Sequence, residues 1–395
     1  MKKIMAILLA AVMTLSLAAC ASPDAAPAPE QGTSSSPQQD ESKEIIIGIL
    51  TPLTGEVAVY GQAVKNAAQM AFDEINAKGG VGGKTFKLEI IDEKGDPTEA
   101  VNAYNILTTQ KNIDFLLGDV TSKPTLAVAE LAATDRIPML TATASHPDVT
   151  SYGDNIFRAC FLDPFQGGIM AKFSAETLGA KKIAILYNTS DDYSAGIAET
   201  CKNKAAELGL EVTAFEGYGA DDKDFKTQLT KIQGSGAEAL VLPDYYTKAA
   251  LVAAQAREIG FDKPIIGPDG FDGIFDVVDP ANIASINNLY FTNHYFVGDP
   301  DPKISAFIKN YTEKYGAAPN ALAALAYDGA YITISAYEAT AGSTDKEAVI
   351  AALKKTNYSG VTGNVSYGTN GDPVKSVSVI KIVDGKYELA AKVNP

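Results

Sequence analysis

The chain has 395 residues with 48 acidic against 33 basic side chains, a formal net charge of −15, and a surface this acidic repels nucleic acid. Three cysteines and two histidines are too few for a disulfide framework or a histidine-rich metal centre. The length exceeds what one hydrophobic core commonly serves, so two lobes are expected.

Residues 1–19 run from Lys2 and Lys3 through the apolar stretch Ile4 to Leu17 and end in Leu17-Ala18-Ala19 before Cys20. A basic head, an apolar run too short to span a bilayer comfortably and small residues directly before a cysteine make an export signal cut in front of Cys20. The segment resembles the lipobox of bacterial lipoproteins, which implies diacylglycerol on Cys20. Each acyl CH₂ buried would contribute about 0.8 kcal/mol to a membrane tether. After the lipidated Cys20, the stretch to Lys43 is rich in Pro, Ser, Ala, Gln and Asp. With almost nothing apolar larger than alanine it is expected to be a flexible linker.

From Glu44 onward, β-branched runs alternate with Ala-rich helical stretches. Strands are expected at Ile45–Leu50, Phe86–Ile91, Ile113–Leu117, Met139–Leu140, Ile156–Phe161, Lys182–Tyr187, Glu211–Phe215, Ala239–Leu242 and Pro264–Ile266. Helices fall between them, the first from Gln62 to Ala77 with Val64, Ala67, Ala68, Ala71 and Ile75 on one face. Strands apolar on both faces followed by amphipathic helices predict α/β architecture with two doubly wound parallel-sheet lobes. The glycine-rich stretch Gly79 to Thr85 looks like a phosphate loop, but it leaves a helix and enters a strand, the reverse of a phosphate loop, and reads as a helix stop. Cys160, in the Ile156–Phe161 strand, and Cys201, in a helix, are expected to be buried free thiols.

Ligands in such sheets sit beyond the C-terminal strand ends, near helix N-termini, which directs attention to six loops, those after Leu50, Leu117, Leu140, Tyr187, Leu242 and Ile266. After Leu117, Ser122 stands at an N-cap position with Pro124 in the first helical turn. It serves either as a cap or, with the free amides behind it, as a carboxylate receiver. Thr141, Thr143 and Ser145 place hydroxyls on alternate residues, which suits a small anion or zwitterion and equally suits a polar turn. Tyr193 and Tyr245 lie at strand ends of the second half, each an apolar wall with a polar tip. Asp269 sits on the turn Gly267-Pro268-Asp269-Gly270, where it is either a surface turn residue or a countercharge for an enclosed ammonium.

The passages Ile47-Gly48-Ile49-Leu50-Thr51-Pro52-Leu53-Thr54-Gly55, Tyr60-Gly61 and Asp73 to Gly83, joined by Asp96-Pro97, Gly267-Pro268 and Ala326-Tyr327-Asp328, occur in a specific order. Together they resemble the leucine/isoleucine/valine-binding family of ABC importers, the type I periplasmic binding proteins. The resemblance implies a three-segment hinge, with lobe 1 formed by residues 44–163 plus 293–372 and lobe 2 by 164–292 plus 373–395. It implies that Ser122, Thr143 and Ser145 hold the ligand's carboxylate and ammonium and that Tyr60 flanks its side chain. Tyr193 and Tyr245 would close over the ligand, Asp269 would face the ammonium, and Leu322 would add an apolar wall. Asp328 fits helix support as well as ligand contact. Two departures stand out: relatives often carry glutamate where Asp269 stands, and Gly95 and Thr121 occupy the places of a disulfide seen in some of them.

The implied protein is an extracytoplasmic, lipid-anchored, monomeric binder of a small amino acid, branched-chain or otherwise hydrophobic, docking on ABC permease subunits. It has no catalytic residue, cofactor or metal: no Cys-x-x-Cys or Gly-x-Ser-x-Gly occurs, and neither His146 nor His294 has a metal-ligand partner at suitable spacing. The same clamshell also suits a sensor reporting to a membrane signalling partner, or a binder of an amide, a carboxylate or another solute.

Overall fold

The computed structural model describes residues 43–394; the export signal, Cys20, the linker up to residue 42 and Pro395 lie outside the described residues. Strands β1 (Glu44–Thr51), β2 (Thr85–Asp92), β3 (Phe115–Leu117), β4 (Met139–Thr141) and β5 (Ile156–Arg158) form a parallel sheet in the order β2-β1-β3-β4-β5. A second sheet runs β14-β13-β10-β9-β8-β6-β7. Its parallel part is β6 (Lys182–Asn188), β7 (Glu211–Tyr218), β8 (Ala239–Val241), β9 (Ile265–Gly267) and β10 (Leu289–Asn293). A separate hairpin pairs β11 (Asn357–Gly360) with β12 (Gly363–Ser366), and β13 (Val377–Val383) and β14 (Lys386–Val393) close the second sheet antiparallel.

The helices beside the first sheet are α1 (Ala58–Asn76), α2 (Pro97–Thr109) and α3 (Ser122–Asp135). Those beside the second are α4 (Asp163–Lys172), α5 (Asp192–Glu207), α6 (Lys226–Gly234) and α7 (Tyr246–Glu258). Then come α8 (Pro302–Tyr315), α9 (Ala321–Ala339), which packs along α1, and α10 (Lys346–Leu353). Central strands are apolar on both faces because helices cover both: Ile45, Ile47, Ile49 and Leu50 of β1 are all fully buried. Gly61 lets α1 press onto the end of β1, since a Cβ there would lie 1.9 Å from the Pro52 carbonyl oxygen. Thr51 Oγ1 completes the seat by donating to Gly61 O at 3.1 Å.

The chain passes from the first sheet to the second after β5, back after β10 and across again before β13. Buried charges fasten these crossings. Arg158, wholly buried, places Nε 2.5 Å from Asp372 Oδ1 and donates from Nη1 and Nη2 to the carbonyls of Ala144 and His146 at 2.8 and 2.9 Å. Lys375 Nζ donates to Ala159 O at 2.9 Å and to Thr362 Oγ1 at 2.6 Å. Asp328 on α9 accepts from the amides of Val361 and Thr362, both at 2.8 Å, and from the Thr362 hydroxyl at 2.6 Å. Gly360 is needed beside it, as a Cβ would sit 2.2 Å from Asp328 Oδ1. Asp328 is therefore a support residue for the hinge.

Several expectations are corrected. The second sheet is mixed, because Asp384 and Gly385, both at positive φ, turn the C-terminal strands back as a hairpin. Strand β10 went unread in the sequence. β5 ends at Arg158 because the Arg158 amide donates to Gly371 O, so Cys160 lies beyond the strand. It and Cys201 are buried free thiols. Helix α1 begins at Ala58, which takes Tyr60 into its first turn.

Removing the Asp328 carboxylate leaves two buried N–H groups and the Lys375 ammonium without their acceptor. Asp328→Ala should lower unfolding stability by about 3 kcal/mol or more; a loss under about 1 kcal/mol in urea titration would show that the hinge does not depend on it.

Candidate functional site

Both sheets repeat one winding, β2-β1-β3-β4-β5 and β7-β6-β8-β9-β10, which opens a crevice at the C-terminal strand ends. All eight residues singled out in the sequence meet there. Tyr60, Ser122, Thr143, Ser145, Tyr193, Tyr245, Asp269 and Leu322 line one cavity, completed by Val120, Thr121 and Gly270. It is tight: about 20 Å³ is open to the centre of a water-sized sphere, on the order of one or two such spheres.

On the first-sheet side, Thr121 is the N-cap residue of α3 and Ser122 its first helical residue, with no side-chain cap hydrogen bond. This corrects the capping reading of Ser122. With Pro124 lacking an N–H, the helix presents the Ser122 and Lys123 amides, which have no intrahelical partner. The hydroxyl row is divided in its duties. Thr141 Oγ1 donates to Asp119 O at 2.7 Å and accepts from Ala144 N at 3.0 Å, so it builds the turn. Thr143 Oγ1 donates to Val120 O at 2.6 Å, which leaves its lone pairs for another donor. The Arg158 bonds to Ala144 O and His146 O brace the loop that carries Thr143 and Ser145.

On the second-sheet side, Asp191 caps α5 by accepting from Ser194 N at 3.0 Å, and the Ser194 hydroxyl bonds Pro243 O, which sets Tyr193 at the helix start. Tyr193 Oη donates to Asp269 Oδ1 at 2.6 Å and accepts from Gly270 N at 3.0 Å. Only glycine fits at 270, where a Cβ would lie 2.8 Å from Asp244 O and 2.9 Å from Tyr193 Oη. The Tyr193 and Tyr245 rings stack with centroids 4.8 Å apart and planes 3° apart. Tyr60, from the opposite side, sets its edge against Tyr245 and Tyr246 and donates its hydroxyl to Gly270 O.

Three residues that the sequence did not flag complete the surroundings of Asp269. His294 Nε2 lies 3.0 Å from Asp269 Oδ2, and its ring stacks on Phe161 at 3.7 Å. Gln166 Oε1 accepts from Asp269 N at 3.2 Å and from Thr292 Oγ1 at 2.9 Å, while its Nε2 donates to Asp163 Oδ1 at 3.0 Å. Burial pushes the Asp163 carboxyl up to about 7, against the pull of the nearby Ser145 hydroxyl and with help from the Asp269 charge. Burial, with the charges of Asp269 and Asp163, holds the Tyr193 hydroxyl far above its ordinary range, so it is a proton donor at any physiological pH. Below the loop after β3, burial likewise raises the paired carboxyls of Glu93 and Asp119. A histidine with no metal spacing and a strand end without alternation carried no readable signal.

Outside the cavity, and sharing Thr121 and Tyr245 with it, a cleft of about 300 Å³ runs between the two sides. Its rim is bridged by Lys123 Nζ to Ser190 O at 3.1 Å and by Tyr246 Oη and Thr247 Oγ1 to Glu56 O at 2.9 and 3.0 Å. Among the described residues no cluster of His, Cys, Asp and Glu could hold a metal ion, and no helix is long and apolar enough to cross a membrane.

The sequence profile of the family described as periplasmic binding protein matches residues 44–386. The chain is 32% identical over 329 residues to the leucine-, isoleucine-, valine-, threonine- and alanine-binding protein of Pseudomonas aeruginosa, covering 83% of this chain and 87% of that one. The crystal structure of the leucine binding protein LivK from Thermotoga maritima superposes with a TM-score of 0.83 at 33% identity, covering 89% of this chain and 99% of that one. The branched-chain amino acid transporter substrate binding protein LivJ of Streptococcus pneumoniae, in complex with isoleucine, gives a TM-score of 0.84 at 34% identity, covering 89% and 100%. With its two doubly wound sheets, three crossings and a site at the strand ends between them, the chain belongs to the periplasmic binding protein family, in its type I leucine/isoleucine/valine-binding branch.

Proposed function

We propose that this protein is the extracytoplasmic, lipid-anchored substrate-binding protein of an ABC importer and takes a small amino acid, branched-chain or otherwise hydrophobic. One observation carries the reading. The hydroxyls of Ser122, Thr143 and Ser145 and the N-terminus of α3 lie on one side of a cavity whose other side holds Asp269. Hydroxyls, amides and a partial positive helix end suit a carboxylate; an enclosed acid suits an ammonium. A zwitterion satisfies both. Tyr60, Tyr245, Leu322 and Val120 supply the apolar wall. The relatives named for leucine, isoleucine and valine support the same class.

The mechanism is hinge closure. One lobe, residues 44–163 with 293–372, brings the hydroxyls, and the other, residues 164–292 with 373–395, brings the tyrosines and Asp269. A cavity this tight admits no solute through closed walls, so the lobes part to load it. The closed monomer then docks on permease subunits, held near them by acyl chains on Cys20. No group at the site is assigned a catalytic part.

In a thermal-shift screen of the amino acids, one at about 100 times its Kd should add about 2.7 kcal/mol and raise the Tm by a few degrees. A panel in which amides, simple carboxylates or sugars raise it and no amino acid does would replace the ligand class. Asp269→Ala should weaken binding of the best amino acid by about 2 kcal/mol or more in calorimetry, and unchanged affinity would return Asp269 to a turn residue. Cys20→Ser, expressed in a lipoprotein-processing host, should move the protein out of the membrane fraction and abolish palmitate labelling; retention of both would sink the anchor.

A further inference from the structure

We infer that His294 is a positioning residue for Asp269 and that the two act as one unit whose proton decides whether the site offers a countercharge to the ligand's ammonium. This rests on the amino-acid reading above.

The geometry is that of a fixed fork. Asp269 Oδ1 is tied by the Tyr193 hydroxyl at 2.6 Å and Oδ2 by His294 Nε2 at 3.0 Å, so the carboxylate cannot rotate toward a ligand and the ligand must come to it. The imidazole side chain is wholly buried and stacked on Phe161. Phe161 belongs to the first crossing and His294 to the second, so the pair links the acid directly to the hinge. His294 Nδ1 is buried with no hydrogen-bond partner. With Nε2 donating to Asp269, Nδ1 is a bare lone pair and the one place on the ring where a proton can add.

The charge count follows. A neutral His294 beside ionised Asp269 leaves one negative charge, which matches one ammonium. A protonated His294 cancels that charge from inside, and the ammonium then meets a neutral pair. Proton and ammonium therefore compete. Burial lowers the His294 pKa, partly offset by its bond to Asp269 and the Asp269 charge, so the competition falls on the acid side of the ordinary histidine range. The other groups facing the pair are Asp163, whose carboxyl burial raises to about 7, the Tyr193 hydroxyl, which stays protonated, and Lys375 and Cys160 at the crossings. Asp163 loses its charge as pH falls through its own range, so it gives a pH dependence of its own that does not need His294.

Sign and test follow from linkage. Since bound amino acid disfavours the protonated ring, affinity is full above the His294 pKa of the free protein and falls below it. The limiting slope is about tenfold in Kd per pH unit, and the bound amino acid lowers the ring's midpoint by the same factor. The full chain has only two histidines, His146 and His294, so imidazole NMR titrations can follow each one, with assignment from His294→Gln. The probe is the amino acid giving the largest shift in the thermal screen. In the wild-type protein its saturation should shift the His294 midpoint to lower pH while leaving that of His146 in place. His294→Gln keeps a neutral N–H donor toward Asp269, so its Kd at pH 8 should stay within a few-fold of wild type, and its acid-side loss should shrink to the part due to Asp163. An unmoved His294 midpoint, or identical Kd profiles in the two chains from pH 8 to pH 5, would overturn the inference while leaving the binding function intact. If no amino acid binds the wild-type chain at pH 8, the amino-acid reading falls and takes this inference with it.

Discussion

A carboxylate enclosed in protein loses solvation worth several kcal/mol, and it stays charged only where hydrogen bonds and a countercharge replace the water. Asp269 is such a carboxylate, 4% exposed and set between the two sheets. Much of the local architecture serves it. The absent side chain of Gly270 lets Tyr193 come close, Gln166 fixes the Asp269 amide, and the capped start of α5 aims the Tyr193 hydroxyl. Hydrogen bonds alone hold the charge in place without neutralising it. A ligand ammonium is the missing term, which is why closure of the lobes and occupation of the site are one event.

The same contrast explains which contacts bend and which hold. At the crossings, Arg158 with Asp372 and Lys375 with Thr362 and the Asp328 helix are buried, and breaking them strands a charge. At the rim, Lys123 to Ser190 and Thr247 to Glu56 are exposed bonds whose groups return to water at a cost of about 1 kcal/mol each. A stiff axis with weak, reversible lip contacts is the mechanical form that a hinge requires. Arg158 serves both ends, since the same guanidinium that pairs with Asp372 braces the Thr143 and Ser145 loop.

Much of this was legible because doubly wound sheets tie position to pattern. Short runs apolar on both faces, each leading into an Ala-rich helix, located nine strands and therefore the loops at their ends, and the eight site residues sit on those loops or beside them. Ser122 was placed one position off, since Thr121 and Ser122 can both begin a helix and only the backbone angles decide. β10 was overlooked because Leu289 to Asn293 follows a run of short 3₁₀ turns with no helix to announce it. The C-terminal hairpin did carry a signal, Asp384-Gly385 between β-branched runs, but a pattern of parallel strands draws the eye past it. His294 was invisible for a different reason: its partner is 25 residues away and is met only after folding.

Fixing the charged end of a ligand has a consequence for selectivity. With Asp269 held in a fork and the hydroxyls braced on a loop, the shared parts of every amino acid meet the same groups in the same places, and binding to them does not discriminate. Discrimination falls to the wall made by Tyr60, Tyr245, Leu322 and Val120. There one methylene more or less is worth only about 1 to 3 kcal/mol, and stacked tyrosines can shift to admit it. A site built this way accepts a group of similar side chains and rejects molecules that lack either charge, because a missing ammonium strands the Asp269 carboxylate and a missing carboxylate strands the α3 amides. The zwitterion sets the class, and the wall only grades its members.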